Sequence, residues 1–234
     1  MNVLITGASR GIGKAIAEIF AANGHSVFLS SRNEKVLMET ARQLQSKYPA
    51  VSVKAKAFDL GSKEQAIALA SWLQESVQAP DILVNNAGSF EPGSVYNEPD
   101  GVLESQMATN LYSAYHLTRA LLPSMMKEGK GRHIFNMCSI ASLKAYNNGG
   151  AYSISKFALY GFSQNLREEM KPYGIKVTAV LPGAVLTDSW EGFDNSSKRI
   201  MEASDIAQLV YAASQLSIQA CVEEILVRPQ LGDL

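Results

Sequence analysis

The sequence predicts an α/β protein with a doubly wound parallel sheet of about seven strands, covered by helices on both faces. Two observations predict this class. Short apolar runs alternate along the whole chain with longer segments whose apolar residues recur at helical spacing. Most of the short runs are apolar on both faces, which is typical of strands buried in a parallel sheet. No linker or internal repeat divides residues 1–234, so we expect a single domain.

Each predicted element has a local signal. Strands are expected at the short apolar or alternating runs 3–5, 26–30, 51–57, 82–84, 133–137, 175–181 and 224–227. Helices are expected at the apolar stripes 12–20, 36–44, 62–77, 102–126, 152–171 and 205–216. Asn33 and Ser62 stand where N-caps belong, and Asn23-Gly24 and Pro49 stop the first two helices. Pro123 is expected to break or kink the long helix near its end.

Composition limits the classes of function. The chain has 21 basic and 22 acidic residues and a net charge of -1, so neither nucleic acid nor an anionic membrane is the expected partner. The amino-terminal residues read as a strand rather than a signal peptide, and no apolar run reaches the roughly 20 residues that span a bilayer. We therefore expect a soluble, cytoplasmic protein. Two cysteines are too few for a disulfide scaffold, and three dispersed histidines predict no metal site.

A glycine-rich turn joins the first strand to the first helix. Thr6–Gly13 contains Gly7, Gly11 and Gly13 at the spacing G-x-x-x-G-x-G. Glycines allow a tight turn and a close approach of the backbone to a ligand. The helix that follows offers free N–H groups and a positive dipole end to a phosphate. The turn therefore predicts a dinucleotide site, with an ordinary strand–helix turn as the alternative.

Charge at the end of the second strand indicates which dinucleotide binds. NAD-binding folds usually place an acidic residue about 20 positions after the glycine turn, where it holds the adenosine ribose. Here the strand ends in Ser30-Ser31-Arg32, with no carboxylate, and Arg10 lies within the glycine turn. Two guanidinium groups near one ribose suit a 2′-phosphate. We predict NADP(H) rather than NAD(H), the alternative being two solvated surface arginines.

Tyr152 and Lys156 are candidates for acid–base chemistry. They stand four residues apart at the start of a predicted helix, so both side chains lie on one face. A nearby fixed cation favours the phenolate form of a tyrosine, which lets the side chain donate and accept protons near neutral pH. Ser139 lies thirteen residues before Tyr152. For the pair alone, an exposed helix face remains the competing interpretation.

Together these motifs resemble the short-chain dehydrogenase/reductase family over essentially the whole chain. The resemblance rests on motifs in the family's order: Thr6–Gly13, Asp59, Asn85–Gly88, Asn110, Ser139, Tyr152 with Lys156, and Pro182-Gly183 followed by Thr187. It implies a Rossmann-type fold and hydride transfer between a nicotinamide and a carbonyl or alcohol. It departs at Cys138, where relatives often have serine, which we interpret as a small buried filler rather than a nucleophile.

The resemblance also implies roles for individual residues. Tyr152 is the expected general acid and base, and Lys156 the cation that supports it and binds the nicotinamide ribose. Ser139 is expected to orient the substrate carbonyl, and Asn110 to hold a water that links Lys156 to solvent. The expected cofactor-binding residues are Gly7, Ser9, Arg10, Gly11, Ile12, Gly13, Ser31, Arg32, Asp59, Leu60, Asn86, Ala87, Gly88, Tyr152, Lys156, Pro182, Gly183 and Thr187.

Three segments are expected to surround the substrate carbonyl: 89–101, 140–150 and a flap at about 188–198. Their candidate lining residues are apolar or aromatic: Phe90, Leu143, Tyr146, Trp190 and Phe193. Such a lining, with few fixed charges, suits a neutral ketone or aldehyde. We therefore predict an NADPH-dependent carbonyl reductase. The apolar stretch 111–126 and the Tyr152 helix exceed what one sheet face needs, and the family resemblance implies that these two helices pair across a two-fold axis in a homodimer or homotetramer.

Other functions remain open from the sequence. A 3-oxoacyl-thioester (acyl-carrier-protein) reductase is disfavoured, because Gly129 and Tyr173 stand where those enzymes tend to carry basic docking residues. The carboxyl terminus also lacks the glycine pair that often closes such reductases. A pterin or sugar reductase is a further alternative. A non-catalytic NADP-binding sensor or scaffold on the same fold would not need the full set of Asn110, Ser139, Tyr152 and Lys156.

Overall fold

A computed structural model describes residues 1–128, 131–187 and 192–233. Its centre is a seven-stranded parallel sheet with the strand order β3-β2-β1-β4-β5-β6-β7. The strands are β1 (Asn2–Thr6), β2 (Ser26–Ser30), β3 (Val53–Ala55), β4 (Ile82–Asn85), β5 (His133–Met137), β6 (Lys176–Pro182) and β7 (Glu224–Val227). The predicted α/β class, parallel pairing and number of strands are confirmed.

The strand order reverses between β1 and β4. From β1 the chain moves outward to β2 and β3, and it then returns to the other side of β1 at β4. The register pairs Ile5 with Leu29 on one side and with Val84 on the other, so the carboxyl ends of all three strands form one edge. In open parallel sheets, ligands bind outside this edge at the point of reversal. The fold thus predicts where the site lies.

Helices cover both faces of the sheet. They are α1 (Gly11–Ala22), α2 (Glu34–Lys47), α3 (Lys63–Gln74), α4 (Val102–Met107), α5 (Ser113–Glu128), α6 (Gly150–Met170) and α7 (Ala203–Ser214). Asn33 Oδ1 accepts a hydrogen bond from Val36 N at 3.1 Å, and Ser62 Oγ accepts one from Gln65 N at 3.3 Å. Both predicted N-caps are therefore confirmed. Among the described residues, no helix is long and apolar enough to cross a membrane.

The apolar core forms two layers. On one face, α1 and α7 pack against the sheet, and Phe20 and Ile206 are fully buried there. On the other face, α3 and α5 cover the sheet around Leu69 and Leu117. Strands buried on both faces need this double cover, which explains why their sequences are apolar at successive positions.

Three expectations about elements differ from the structure. The predicted strand 51–57 is confined to Val53–Ala55, because β3 is an edge strand that pairs with β2 alone. The predicted helix 102–126 contains a π-helical turn at Ala108–Tyr112, and it continues through Pro123 to Glu128. A π-turn inserts one residue into a helix and is frequent at functional sites. The predicted flap lies partly outside the described residues, and its described part, 192–198, is irregular.

Candidate active site

A cleft of about 850 Å³ opens along the carboxyl edge of the sheet. The loops that follow β1, β2, β4, β5 and β6 all contribute to its walls. Of the predicted site residues, those that line the cleft are Gly7, Ser9, Arg10, Gly11, Ile12, Ser31, Arg32, Asp59, Leu60, Asn86, Ala87, Gly88, Ser139, Tyr152, Lys156, Pro182, Gly183 and Thr187. Gly13 and Asn110 lie behind the walls rather than on them.

The glycine turn after β1 is shaped by contacts that a side chain would block. Gly7 and Gly11 have φ values of 62° and 54°, which lie in the left-handed region that favours glycine. A Cβ at Gly13 would lie 2.3 Å from the carbonyl oxygen of Gly7 and 2.6 Å from Asn86 Nδ2. Gly13 does not line the cleft, but its lack of a side chain lets α1 pack closely on the turn.

The loop after β4 holds this turn in place. Asn86 Nδ2 donates hydrogen bonds to the carbonyl oxygens of Thr6 at 3.0 Å and Gly7 at 3.2 Å. Thr6 Oγ1 accepts from the backbone N–H groups of Asn86 at 3.0 Å and Ala87 at 2.9 Å. Side-chain bonds of this kind satisfy backbone groups that would otherwise lack partners. The two strand ends at the reversal point are thus joined directly, and both face the cleft.

One end of the cleft is suited to a phosphate. Ser31, Arg32 and Asn33 line it together with Arg10 from the glycine turn. The Ser31 hydroxyl is buried and has no hydrogen-bond partner within the described part of the chain. A buried polar group without a partner is costly unless a ligand or water pairs with it. The end therefore combines two arginines with a hydroxyl that lacks a partner among the described residues, which suits a phosphate-bearing cofactor.

Asp59 lies near this same end, after β3. Its Oδ1 accepts a hydrogen bond from Gly61 N at 3.1 Å, and its backbone N–H donates to Gln65 Oε1 at 2.7 Å. These bonds close the turn before α3 and bring Asp59 and the buried Leu60 to the cleft wall. The predicted position of Asp59 beside a cofactor cleft is consistent with this geometry.

Tyr152 and Lys156 occupy the first two turns of α6 and lie on one side of the helix. Lys156 is buried, and its Nζ donates a hydrogen bond of 2.7 Å to the carbonyl oxygen of Met137. The same Nζ lies 5.8 Å from the centre of the Tyr152 ring. Phe90 packs edge-on against that ring at 4.8 Å between centroids. The phenol is thus held between a fixed ammonium and an aromatic wall.

Ser139 reaches the same region from the end of β5. A short 3₁₀ turn, Ile140–Ser142, follows it, and Ser139 Oγ accepts from Ala141 N at 3.1 Å. Ser153 Oγ of α6 donates to the carbonyl oxygen of Ala141 at 3.0 Å. This bond ties the turn that carries Ser139 to the helix that carries Tyr152. The predicted trio of Ser139, Tyr152 and Lys156 converges in one cleft.

Asn110 lies in the π-helical turn, behind the cleft wall. Its Oδ1 accepts from Ser89 N at 2.8 Å, and its Nδ2 donates to Ser89 O at 3.0 Å and Ser155 Oγ at 2.9 Å. A Cβ at Gly88 would lie 3.0 Å from Asn110 Oδ1 and 3.6 Å from Lys156 Nζ. Asn110 therefore connects the loop after β4 to α6, next to Lys156.

Burial controls the protonation of two further groups in the cleft. Desolvation raises the pKa of the Cys138 thiol to about 11, against a smaller lowering by Lys156. A thiol with such a pKa is a poor nucleophile at neutral pH, as expected for a buried filler. Desolvation, followed by the influence of Tyr152, raises the pKa of Tyr146 to about 12. Tyr146 thus stays a neutral phenol on the wall.

The substrate side of the cleft differs in part from the expectation. Phe90 and Tyr146 line it as predicted, whereas Leu143 and Phe193 do not, and Trp190 lies outside the described residues. Three charged residues that were not predicted from the sequence also line the cleft: Lys144, Arg228 and Asp233. Charged groups therefore contribute to the cleft wall beside the aromatic side chains. Lys144 lies inside the predicted segment 140–150. The position of Arg228 in the cleft depends on the pairing of β7 with β6, which the local sequence does not predict.

Comparison with known proteins agrees with this geometry. Residues 1–198 match the family model described as short chain dehydrogenase. The chain belongs to the short-chain dehydrogenase family. One relative, an uncharacterized oxidoreductase of Staphylococcus saprophyticus, is 33% identical over 226 residues, which cover 97% of this chain and 96% of the relative. This short-chain dehydrogenase is therefore an oxidoreductase.

Solved structures of short-chain dehydrogenases superpose on nearly the whole chain. L-sorbose reductase from Gluconobacter frateurii, in complex with NADPH and L-sorbose, has a TM-score of 0.89 and 27% identity, covering 97% of this chain and 95% of its own. A metagenomic short-chain oxidoreductase in complex with NADP has a TM-score of 0.85 and 30% identity, covering 98% and 97%. The Rossmann-type architecture is therefore that of the family.

Proposed function

We propose that this short-chain dehydrogenase is an NADP(H)-dependent oxidoreductase that reduces a ketone or aldehyde to an alcohol, reversibly. The observation that carries the proposal is the convergence of Ser139, Tyr152 and Lys156 on one side of a cleft whose far end is built from glycines and arginines. A cofactor-binding scaffold without catalysis would not require a proton donor held beside a fixed cation.

The residues of the cleft fit NADP(H). Gly7 and Gly11 leave room for a diphosphate at the amino terminus of α1. Arg10, Arg32 and the Ser31 hydroxyl would hold a 2′-phosphate, and no carboxylate ends β2 to oppose it. Pro182, Gly183 and Thr187 would lie along the nicotinamide half. The L-sorbose reductase and the metagenomic oxidoreductase, which hold NADPH and NADP, support this choice.

The bound nicotinamide would supply the hydride. The chain's own residues would position the carbonyl and move the proton. Ser139 Oγ would donate a hydrogen bond to the substrate oxygen, and the Tyr152 hydroxyl would deliver the proton that this oxygen gains. Lys156, held by Met137 O, would stabilise the phenolate that remains. In the oxidative direction Tyr152 would take the proton back.

We also propose a homodimer or homotetramer. Large apolar side chains are exposed on α6 and on the helical stretch before it: Tyr112, Tyr115, Ile154 and Phe157. Monomeric proteins rarely expose such a cluster, and pairing of these helices across a two-fold axis would cover it. Light scattering at micromolar concentration should give a mass of two or four chains, and a monomer would contradict this proposal.

The function is tested by following cofactor oxidation with a panel of ketones, aldehydes and diketones. We expect turnover with NADPH and a kcat/KM for NADH lower by about tenfold or more, because a lost 2′-phosphate removes charge-assisted hydrogen bonds. Absence of turnover across the panel, together with NADPH binding measured by fluorescence, would support the scaffold alternative.

A further inference from the structure

The carboxyl-terminal segment reaches the cleft through Arg228, the first residue after β7. A Cβ at Gly183 would lie 3.4 Å from Arg228 Cα and 3.0 Å from Pro229 Cδ, so the segment packs directly on the loop after β6. Gly183 N donates to Val227 O at 2.8 Å and fixes this contact. Arg228 is therefore a built part of the cleft wall.

The position of β7 in the sheet places Arg228 far from the glycine turn along the carboxyl edge. β7 lies two strands from β5, which ends before Ser139, and four strands from β1, which carries the glycine turn. At about 4.8 Å per strand, these separations are about 10 Å and about 19 Å. An arginine side chain bridges much of the first distance and little of the second. Arg228 therefore lies nearer the end of β5, which precedes Ser139, than the glycine turn after β1.

The Arg228 guanidinium has N–H donors that no described residue uses. Its Nη1 donates to Asp233 Oδ2 at 2.9 Å, and within the described residues no other hydrogen bond involves this side chain. A guanidinium has five N–H donors in a planar fork, so one edge is held while others are available. The two side chains are 43% and 38% exposed, so the ion pair itself contributes little to stability.

Asp233 is held independently of Arg228. Arg199 donates to the carbonyl oxygens of Gly232 at 2.9 Å and Asp233 at 3.0 Å, which anchors the end of the segment to the loop before α7. Because the backbone of Asp233 is anchored in this way, its carboxylate holds the Arg228 guanidinium in one orientation. Lys144 adds a second cation to the cleft wall, and no described residue forms a salt bridge with it. The cleft wall thus carries, beside the Arg228–Asp233 pair, a lysine that forms no salt bridge with a described residue.

We propose that Arg228 binds the carboxylate of the substrate, so that the physiological substrate is an oxo acid or the corresponding hydroxy acid. This inference rests on the proposed carbonyl reduction and specifies its substrate class. The guanidinium would bind a carboxylate through its open edge. The spacing between the ends of β5 and β7, less the length of the arginine side chain, leaves room for a carboxylate a few carbon atoms from the reacting carbonyl.

The test compares two compounds that share one ketone and differ in one charge, levulinate and methyl levulinate. The measured quantity is the ratio of their kcat/KM values with NADPH. Arg228→Gln should lower the ratio of acid to ester by about tenfold or more, mainly through the KM for levulinate. Arg228→Lys keeps the charge and should restore part of the ratio. Arg42→Gln, an exposed α2 arginine paired with Glu39, should leave the ratio unchanged.

A binding measurement keeps the inference testable without turnover. Pentanoate, which has the carboxylate but no ketone, should bind the NADP⁺ complex and lose about tenfold or more in affinity in Arg228→Gln. An equal effect of Arg228→Gln on acid and ester would overturn the inference while leaving carbonyl reduction intact. So would a loss of NADPH affinity alone, which would assign Arg228 to the cofactor. Failure of every ketone to react would instead count against the proposed function.

Discussion

Lys156 Nζ donates a hydrogen bond of 2.7 Å to the carbonyl oxygen of Met137. This bond joins the helix that carries Tyr152 to the strand end that precedes Ser139. It fixes the ammonium beside the Tyr152 ring, 5.8 Å from its centre, within a buried wall. Loss of the bond would therefore disturb the proposed proton donor and the carbonyl-binding serine together.

Lys156→Met should remove catalysis with a moderate cost in stability. The apolar side chain leaves Met137 O without its donor, which costs about 1–3 kcal/mol, and it removes the cation that supports a phenolate. We expect kcat/KM for carbonyl reduction to fall by about 10²-fold or more. Lys171→Met, at an exposed lysine just after α6, is the matched control and should keep full activity. A Lys156→Met enzyme with comparable activity would contradict this role.

Gly13→Ala should destabilise the glycine turn although Gly13 does not line the cleft. A Cβ there meets the Gly7 carbonyl oxygen at 2.3 Å, and overpacking of this kind costs about 1–3 kcal/mol. Denaturant unfolding measures the loss. Gly161→Ala lies inside α6, and beyond that helix's own backbone no described residue has an atom within 4 Å of the added Cβ, so this change should be neutral or stabilise by up to about 1 kcal/mol. Equal effects of the two substitutions would show that the close packing at Gly13 is unimportant.

Arg32→Asp should weaken the use of NADPH more than that of NADH. The change replaces a guanidinium at the proposed 2′-phosphate site with a carboxylate, which repels the phosphate and can accept a hydrogen bond from a ribose hydroxyl. We expect kcat/KM for NADPH to fall by about tenfold or more. Arg42→Asp makes the same charge change away from the cleft and should alter neither cofactor. A wild-type preference for NADH would refute the assignment.

Local patterns were sufficient to predict the strands and most helices, and the motifs shared with the family indicated the cleft residues near the glycine turn and α6. The caps at Asn33 and Ser62, for example, depend only on residues within one turn. The π-helical turn around Asn110 was not predictable in this way. It is stabilised by the bonds of Asn110 to Ser89 and Ser155, which are 21 and 45 residues away in sequence.

The charged residues of the cleft wall show a second limit to what local sequence patterns predict. Arg228 and Asp233 lie far in sequence from Ser139, and they reach the cleft only because β7 pairs with β6 in parallel. A sequence pattern identifies strands but does not order them in a sheet, and the order here decides which loops meet. The expectation of an apolar lining rested on aromatic residues in three loops and did not include Arg228, which the strand order brings to the cleft.

His133 should make the protein less stable in acid. Its ring is buried, hydrogen-bonded through Nε2 to Thr178 Oγ1 at 2.7 Å, and its Nδ1 has no partner within the described part of the chain. Desolvation first, and the Lys176 ammonium second, lower its pKa from 6.5 to about 3. The unfolded chain therefore binds a proton between these values while the folded chain does not. This stabilisation is complete above pH 6.5 and is lost as the pH falls toward 3.

Denaturant unfolding of wild type and His133→Gln at several pH values measures this effect. Between about pH 7 and pH 5, the wild type should lose about 2 kcal/mol more than the variant. His116→Gln, at a half-buried histidine on α5, should change the slope much less. Parallel stability curves for wild type and His133→Gln would contradict the prediction.

The central claim is that Tyr152 exchanges the proton with the substrate oxygen, and Tyr152→Phe tests it most directly. The substitution keeps the ring that packs on Phe90 and removes only the hydroxyl. We predict that kcat/KM for NADPH-dependent carbonyl reduction falls by about 10²–10⁴-fold, with NADPH affinity within about threefold of wild type. Tyr146→Phe, which removes a hydroxyl from the same cleft, should retain most activity. If Tyr152→Phe instead reduced carbonyls at a rate close to that of the wild type, Tyr152 would not be the proton donor.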